Sequence, residues 1–336
     1  MPRYFLAYLI PATAALGMLL GGSWSWVTPV VTFAAIPAVD WWLGADPRPI
    51  ATPPTVRANL PLYLALPVQY GLIVLLATRL ADTVEPVEYV GWIVSTGLAS
   101  ASLGIVVAHE LVHRRNRIEY WCGKLLLLPV LYMHFAIEHV RGHHERVATS
   151  ADPASAAGGV SLYRFLPRSV TGQLRSAWRL EAARLKRKDR PTLCRDNEML
   201  GICAIQIIWI TGWAVFDLRV ALALILTAAI AVSLLEIINY VEHYGLRRST
   251  DANGRPEPVR AQHSWNSDHR ASRAMLFELP RHTDHHMSGA RPYSTLQSVP
   301  HAPHLPAGYP AMVLLALVPP LWFKVMDPRV QTVSRL

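Results

Sequence analysis

Nine of the fourteen histidines stand in four tight groups, and their spacing is the first sign of chemistry in the chain. His109 and His113 lie in HELVH, His139, His143 and His144 in EHVRGHH, His243 in NYVEHYG, and His282, His285 and His286 in RHTDHH. Residues four apart share a helix face, so the first pair can converge on one ion. Neutral imidazole is a good ligand for iron, copper and zinc. One ion rarely takes more than about six ligands, so nine clustered imidazoles suit two metals better than one. His134, His263, His301 and His304 stand alone and read as structural.

Other chemistries account for less. HELVH satisfies the H-E-x-x-H signature of zinc proteases, with Glu110 as general base, but such a site needs one zinc and about three ligands and leaves seven clustered histidines without a purpose. Cys122, Cys194 and Cys203 form no C-x-x-C pair, so no thiolate zinc or rubredoxin-type iron site is encoded. No G-x-G-x-x-G fingerprint is present either, so reducing equivalents would come from a partner. Three acids stand at or near the groups. Glu236, seven residues before His243, falls on the same face about two turns deeper, and ionisable residues inside membrane helices are functional candidates. Glu236, Glu110 and Glu242 are expected to accept the far N–H of a ligand histidine, with a protonated or Asn239-paired structural acid as the alternative for Glu236.

The elements that must position these residues are membrane helices. The chain is 52% hydrophobic and 16% charged, well below the charge of a soluble domain. Six apolar runs are long enough to cross a bilayer, near 4–22, 24–44, 61–80, 88–109, 198–216 and 219–241. The first reads as a retained helix, because only Arg3 precedes it and a second run follows at once. Residues 121–137 and 311–325 are apolar but short or broken by proline, and are expected to be interfacial or re-entrant. The stretch 151–160, ADPASAAGGV, reads as a flexible loop. The expected architecture is a single all-α, polytopic bundle over 1–336, with its histidines at helix ends and in the polar segments that follow.

Between residues 114 and 198, sixteen Lys and Arg face eight acids, whereas the loop near 81–88 is acidic. Basic loops stay in the cytoplasm, which places the N-terminus and the histidines on that side. The net charge of +9 thus reads as a surface facing lipid headgroups and gives no reason to invoke nucleic acid. A metal transporter would keep its ligands near the bilayer midplane, unlike these helix-end histidines.

Taken together, HELVH, EHVRGHH, NYVEHYGL and LPRHTDHH resemble the alkane hydroxylase branch of the membrane di-iron hydroxylase and desaturase superfamily. IPAVDWWLGAD, with Pro37, Asp40, Gly44 and Asp46, and HSWNSDH at 263–269 extend the resemblance over most of the chain. Arg114 stands where many members have Lys, and Pro280 where Gln is common. The resemblance implies two non-haem irons held by the nine grouped histidines, with His269 near the site but not on metal. It implies a bacterial inner-membrane monooxygenase that hydroxylates a terminal methyl, of a medium-chain n-alkane or of a xylene-type or terpene substrate, using O₂. An acyl-lipid desaturase is the nearest other reading. Electrons would come from a rubredoxin or ferredoxin with its NAD(P)H-dependent reductase, docking on the basic stretch 164–195. Trp41, Trp42 and Trp92 are bulky enough to shape a channel open to the bilayer, but an interfacial aromatic belt or core packing is the expected role of each.

Overall fold

The computed structural model describes residues 2–49, 56–82 and 84–335, which are helical with no β-strand among them. Six helices are long and apolar enough to cross a membrane: α1 (Arg3–Leu20), α2 (Gly22–Leu43), α3 (Ala58–Leu80), α4 (Pro86–Val112), α8 (Glu198–Phe216) and α9 (Leu218–His243). Each lies within three residues of its expected bounds. The remaining helices are α5 (Arg117–Leu127), a helix over 135–146 (α6), α7 (Leu162–Lys186), α10 (Arg270–Met275), α11 (His282–Met287), α12 (Tyr309–Ala316) and α13 (Pro319–Val333). As expected, 121–137 does not form a span; it ends α5, turns, and begins α6. The pair α12–α13 is bent by 119° at the proline break.

Side-chain accessibility separates the inner helices from those that meet lipid. α4 is 83% buried and packs against both α1 and α9, whereas α8 is 11% buried and presents its apolar surface outward. Contact between α4 and α9 depends on Gly97, where an added Cβ would lie 2.7 Å from Ile230 Cγ2. Local signals start the second block: Asn197 Oδ1 accepts from the backbone N–H of Met199 at 2.9 Å, and Asp217 caps α9 through Arg219 N at 2.8 Å.

Three of the helices contain π-turns, at Val31–Ala35 in α2, Ser100–Ile105 in α4 and His139–His143 in α6. An inserted residue shifts every later side chain around the helix, and such bulges concentrate at functional sites. Nothing in the apolar pattern of the sequence announces them.

The motifs at 36–46 and 263–269 form the joint that holds the C-terminal segment to the bundle. Gly44, at φ +69°, ends α2. Asp40 accepts from the N–H groups of Ala271 at 2.8 Å and Ser272 at 3.1 Å, capping α10 from another helix. Asp46 N donates to Asp268 O at 2.9 Å. Asn266 Oδ1 accepts from Thr283 N at 2.9 Å, which fixes the start of α11.

One expectation fails here. Residues 151–160 are no loose loop: Asp152, Ala154, Ser155 and Ala156 are buried and hydrogen-bonded into the fold. Trp41 and Trp42 are 85% and 78% exposed on the outer surface, while Trp92 is 2% exposed and donates to Gly17 O at 3.2 Å. None of the three lines the internal cavity described below.

Candidate metal centre

The nine grouped histidines, and no others, come together where α4 and α9 end. They divide into two sets whose ligand atoms all lie within 4.8 Å of one another: His109, His113, His139, His144 and His285, and His143, His243, His282 and His286. The sets share a wall, since the rings of His144 and His286 have centroids 4.5 Å apart.

Helix geometry explains the division. His109 and His113, and likewise His282 and His286, keep together as residues four apart on an α-helix. His139 and His143 have the same spacing but separate, because a π-turn lies between them. On a regular α-helix His144 would point about 140° away from His139. The wider turn brings their Nε2 atoms to 3.1 Å, and adjacent His143 and His144 enter different sets.

Within each set the inward nitrogens crowd one another. His285 and His144 meet Nε2 to Nε2 at 3.0 Å, His286 and His282 at 2.9 Å, and His282 and His243 at 3.2 Å. Neighbouring ligands at about 2.1 Å from one ion and at right angles lie about 3.0 Å apart, so these spacings fit a metal. The Nε2 atoms of His109, His113 and His143 are buried and have no protein partner. Burial, together with the neighbouring imidazoles, holds His139, His144, His282, His285 and His286 well below the usual histidine range; burial and His143 hold His113 at about 4. They are therefore neutral, and each offers a lone pair where an ion would sit.

The comparisons agree with this geometry. Residues 87–315 match the family model for fatty acid desaturase. Alkane 1-monooxygenase 2 of Pseudomonas aeruginosa is 40% identical over 331 residues, 94% of this chain and 87% of the relative. The chain belongs to the alkane monooxygenase branch of the fatty acid desaturase family. Alkane 1-monooxygenase of Acinetobacter baylyi is 38% identical, covering 90% of this chain and 76% of that protein. The xylene/toluene monooxygenase hydroxylase component XylM of Pseudomonas putida is 30% identical, covering 96% and 87%.

The groups around the histidines of this desaturase-family member differ from expectation. Asp152, which no motif singles out, is the carboxylate on a far imidazole nitrogen: its Oδ2 is 2.9 Å from His143 Nδ1. Burial would push the Asp152 carboxyl up, but His143 and a bond from Ser155 Oγ outweigh it and hold it below its ordinary range. The carboxylate thus fixes the ring with Nδ1 protonated and Nε2 inward. Only the HxxxHH grouping nearby hinted that a partner was needed.

Glu242 does touch a histidine, but on the inner side: Oε2 is 3.1 Å from His282 Nε2, while Oε1 accepts from Tyr309 Oη at 2.8 Å. Glu110 accepts from Arg114 Nη2 at 2.5 Å and from Tyr293 N at 3.2 Å, tying α4 to the C-terminal segment instead of orienting an imidazole. Glu236 accepts from Tyr132 at 3.0 Å, Ser169 at 2.6 Å, Gln173 at 2.7 Å and Asn239 at 3.2 Å, with no histidine among these partners. It locks the turn before α6 to α7 and α9 at the centre of the bundle. His269 bonds Ser267 Oγ at 2.9 Å and belongs to the joint with α2, outside both histidine sets.

An almost wholly apolar cavity lies deeper in the bundle, between Phe33 and Ile36 of α2, Ala101 and Ile105 of α4, and Leu234 and Ile238 of α9. Val106, Leu276 and Leu279 line both this cavity and a smaller one that ends on His109 and His285. Two of the three π-turns supply its walls. The apolar space therefore approaches the five-histidine set from within the membrane.

Proposed function

We propose that this chain is an O₂-dependent, di-iron membrane monooxygenase that converts a medium-chain n-alkane to its 1-alkanol. The observation that carries the reading is the apolar cavity leading to His109 and His285. An unactivated methyl group offers no handle for acid–base chemistry, so a metal must supply the oxidant and the protein must hold the chain and exclude water. The five-histidine and four-histidine sets would each hold one iron, with the Glu242 carboxylate beside the second. Bound iron supplies O₂ activation; the residues supply everything else.

Those roles are separable. Phe33, Ala101 and Leu234 line the deep part of the cavity, so an extended chain lies along α4 with one methyl towards His109. From Ala101 to His109 is eight residues, or about 12 Å of helix, enough for a chain of medium length. Buried imidazoles kept neutral by their surroundings ligate without competing protons. Asp152 holds His143 in one tautomer, and Tyr309 holds Glu242 in place. The positive surface beside the histidines supports a cytoplasmic orientation in a bacterial inner membrane, with electrons from a rubredoxin or ferredoxin and its reductase. Greater similarity to alkane than to xylene/toluene enzymes favours the linear substrate.

The deciding experiment counts iron in the purified protein and offers octane to the chemically reduced enzyme under ¹⁸O₂. About two irons per chain and labelled 1-octanol are expected. One zinc, or an alkene in place of the alcohol, would overturn the reading.

A further inference from the structure

The two histidine sets differ in how they meet water. All four members of the smaller set are buried, whereas His113 and His144 of the larger set are only partly so. On its membrane side the larger set meets the apolar space at His109 and His285, a path that a hydrated cation does not take. At His113 and His144 it is covered by a strap, residues 288–291, that follows α11. An added Cβ at Gly289 would lie 3.1 Å from Cε1 and Nδ1 of His144 and 3.5 Å from Cε1 of His113. Only glycine lets the backbone lie so close to the two rings.

The strap is firm at its ends and loose between them. Ser288 N donates to Asp284 O at 3.1 Å, and Arg291 Nη1 donates to both carboxylate oxygens of Asp284, at 2.6 and 2.7 Å. Just beyond, Tyr293 N donates to Glu110 and Tyr293 Oη to Ala58 O at 2.6 Å. The backbone of Gly289 and Ala290 forms no hydrogen bond among the described residues, and Ala290 is exposed. Local opening of so lightly held a segment requires far less free energy than unfolding. The four-histidine set is closed on its outer side instead: Asp152 bonds His143, and Ser155 Oγ donates to Asp152 at 2.6 Å while accepting from Ala148 N at 2.9 Å. We infer that the strap is the gate through which a divalent cation reaches and leaves the five-histidine set. Parting Arg291 from Asp284 lifts Gly289 off the rings, and His144 swings towards water. The ion of the four-histidine set, lacking such a gate, exchanges more slowly. This rests on the two-metal reading above.

The test loads the full chain with ferrous iron without air, counts the ions bound, and follows their transfer to ferrozine by absorbance, which needs no catalysis. About two ions per chain should leave in two phases of about one each, and His285→Ala should lack the faster phase. Arg291→Gln removes a charge-assisted pair that holds the strap, so it should speed the faster phase by about three- to tenfold and leave the slower one unchanged. Arg291→Lys should restore most of the original rate. A single release rate for both ions, or equal acceleration of both phases by Arg291→Gln, overturns the gate while leaving the two-metal reading intact. Fewer than two ions at saturation would overturn that reading and the gate with it.

Discussion

His143 Nδ1 lies 2.9 Å from Asp152 Oδ2, while Nε2 of the same ring faces the four-histidine set with no protein partner. Removing the carboxylate while keeping the shape, in Asp152→Asn, frees the ring to adopt the other tautomer. Metal affinity or turnover should fall by about 10- to 100-fold, the usual cost of losing such a partner. Metal content after dialysis against a graded chelator series checks this; full retention at every step would contradict it.

The two-set arrangement makes histidine substitutions selective. His285→Ala removes a ligand from the five-histidine set and His243→Ala one from the four-histidine set. Each should lower the metal content from about two towards about one per chain, with both variants inactive. Quantitative metal analysis on protein of unchanged helicity is the measurement, and equal loss of both ions from either variant would show that the sets are not independent.

Ala101 stands at the deep part of the apolar cavity, on the π-turn of α4. Ala101→Phe should shorten the longest alkane accepted while leaving both metals bound. Competition between hexane and dodecane, read by product ratio, should shift towards hexane; an unchanged ratio would place the substrate elsewhere.

Gly97 allows α4 to lie against Ile230 of α9. Gly97→Val forces these helices apart and should destabilise the protein by about 1–3 kcal/mol, as overpacking commonly does. Thermal unfolding in detergent would show the loss, and Gly201→Ala, at a position with open space around it, should show almost none.

Glu181 joins α7 to the start of α8. Burial raises its pKa, but bonds from Arg184 and from Glu198 N at 2.7 Å outweigh that and hold it below the ordinary carboxylate range. A depressed carboxylate contributes stability that is complete above its unfolded pKa of about 4.3 and is lost as pH falls through the lower folded value. Unfolding temperature should therefore drop on acidification below about pH 4, and Glu181→Gln should be less stable at neutral pH with a smaller further drop. Parallel melting curves for the two proteins would contradict the assignment.

Composition and residue spacing alone determined the six spans and the nine convergent histidines. Apolar length is a local property that a bilayer reads directly, and HELVH, EHVRGHH and RHTDHH are unlikely neighbours without a shared ligand. Which set each histidine joins was decided only in three dimensions, because the π-turn at His139–His143 redirects His144 without leaving a mark on the hydrophobic pattern. The same holds for the acids. Glu110 and Glu236 looked like partners of the metal ligands by position along a helix, yet tertiary packing gave Glu110 the backbone N–H of Tyr293 and gave Glu236 Tyr132 and Ser169. Asp152 sits in a stretch whose composition suggests a loose loop, and becomes a partner of His143 because α7 presses on that stretch, where a Cβ at Gly172 would lie 2.7 Å from Pro153. Sequence periodicity reports which face a residue takes on its own element; the partner on that face is set by how elements distant in the chain pack together.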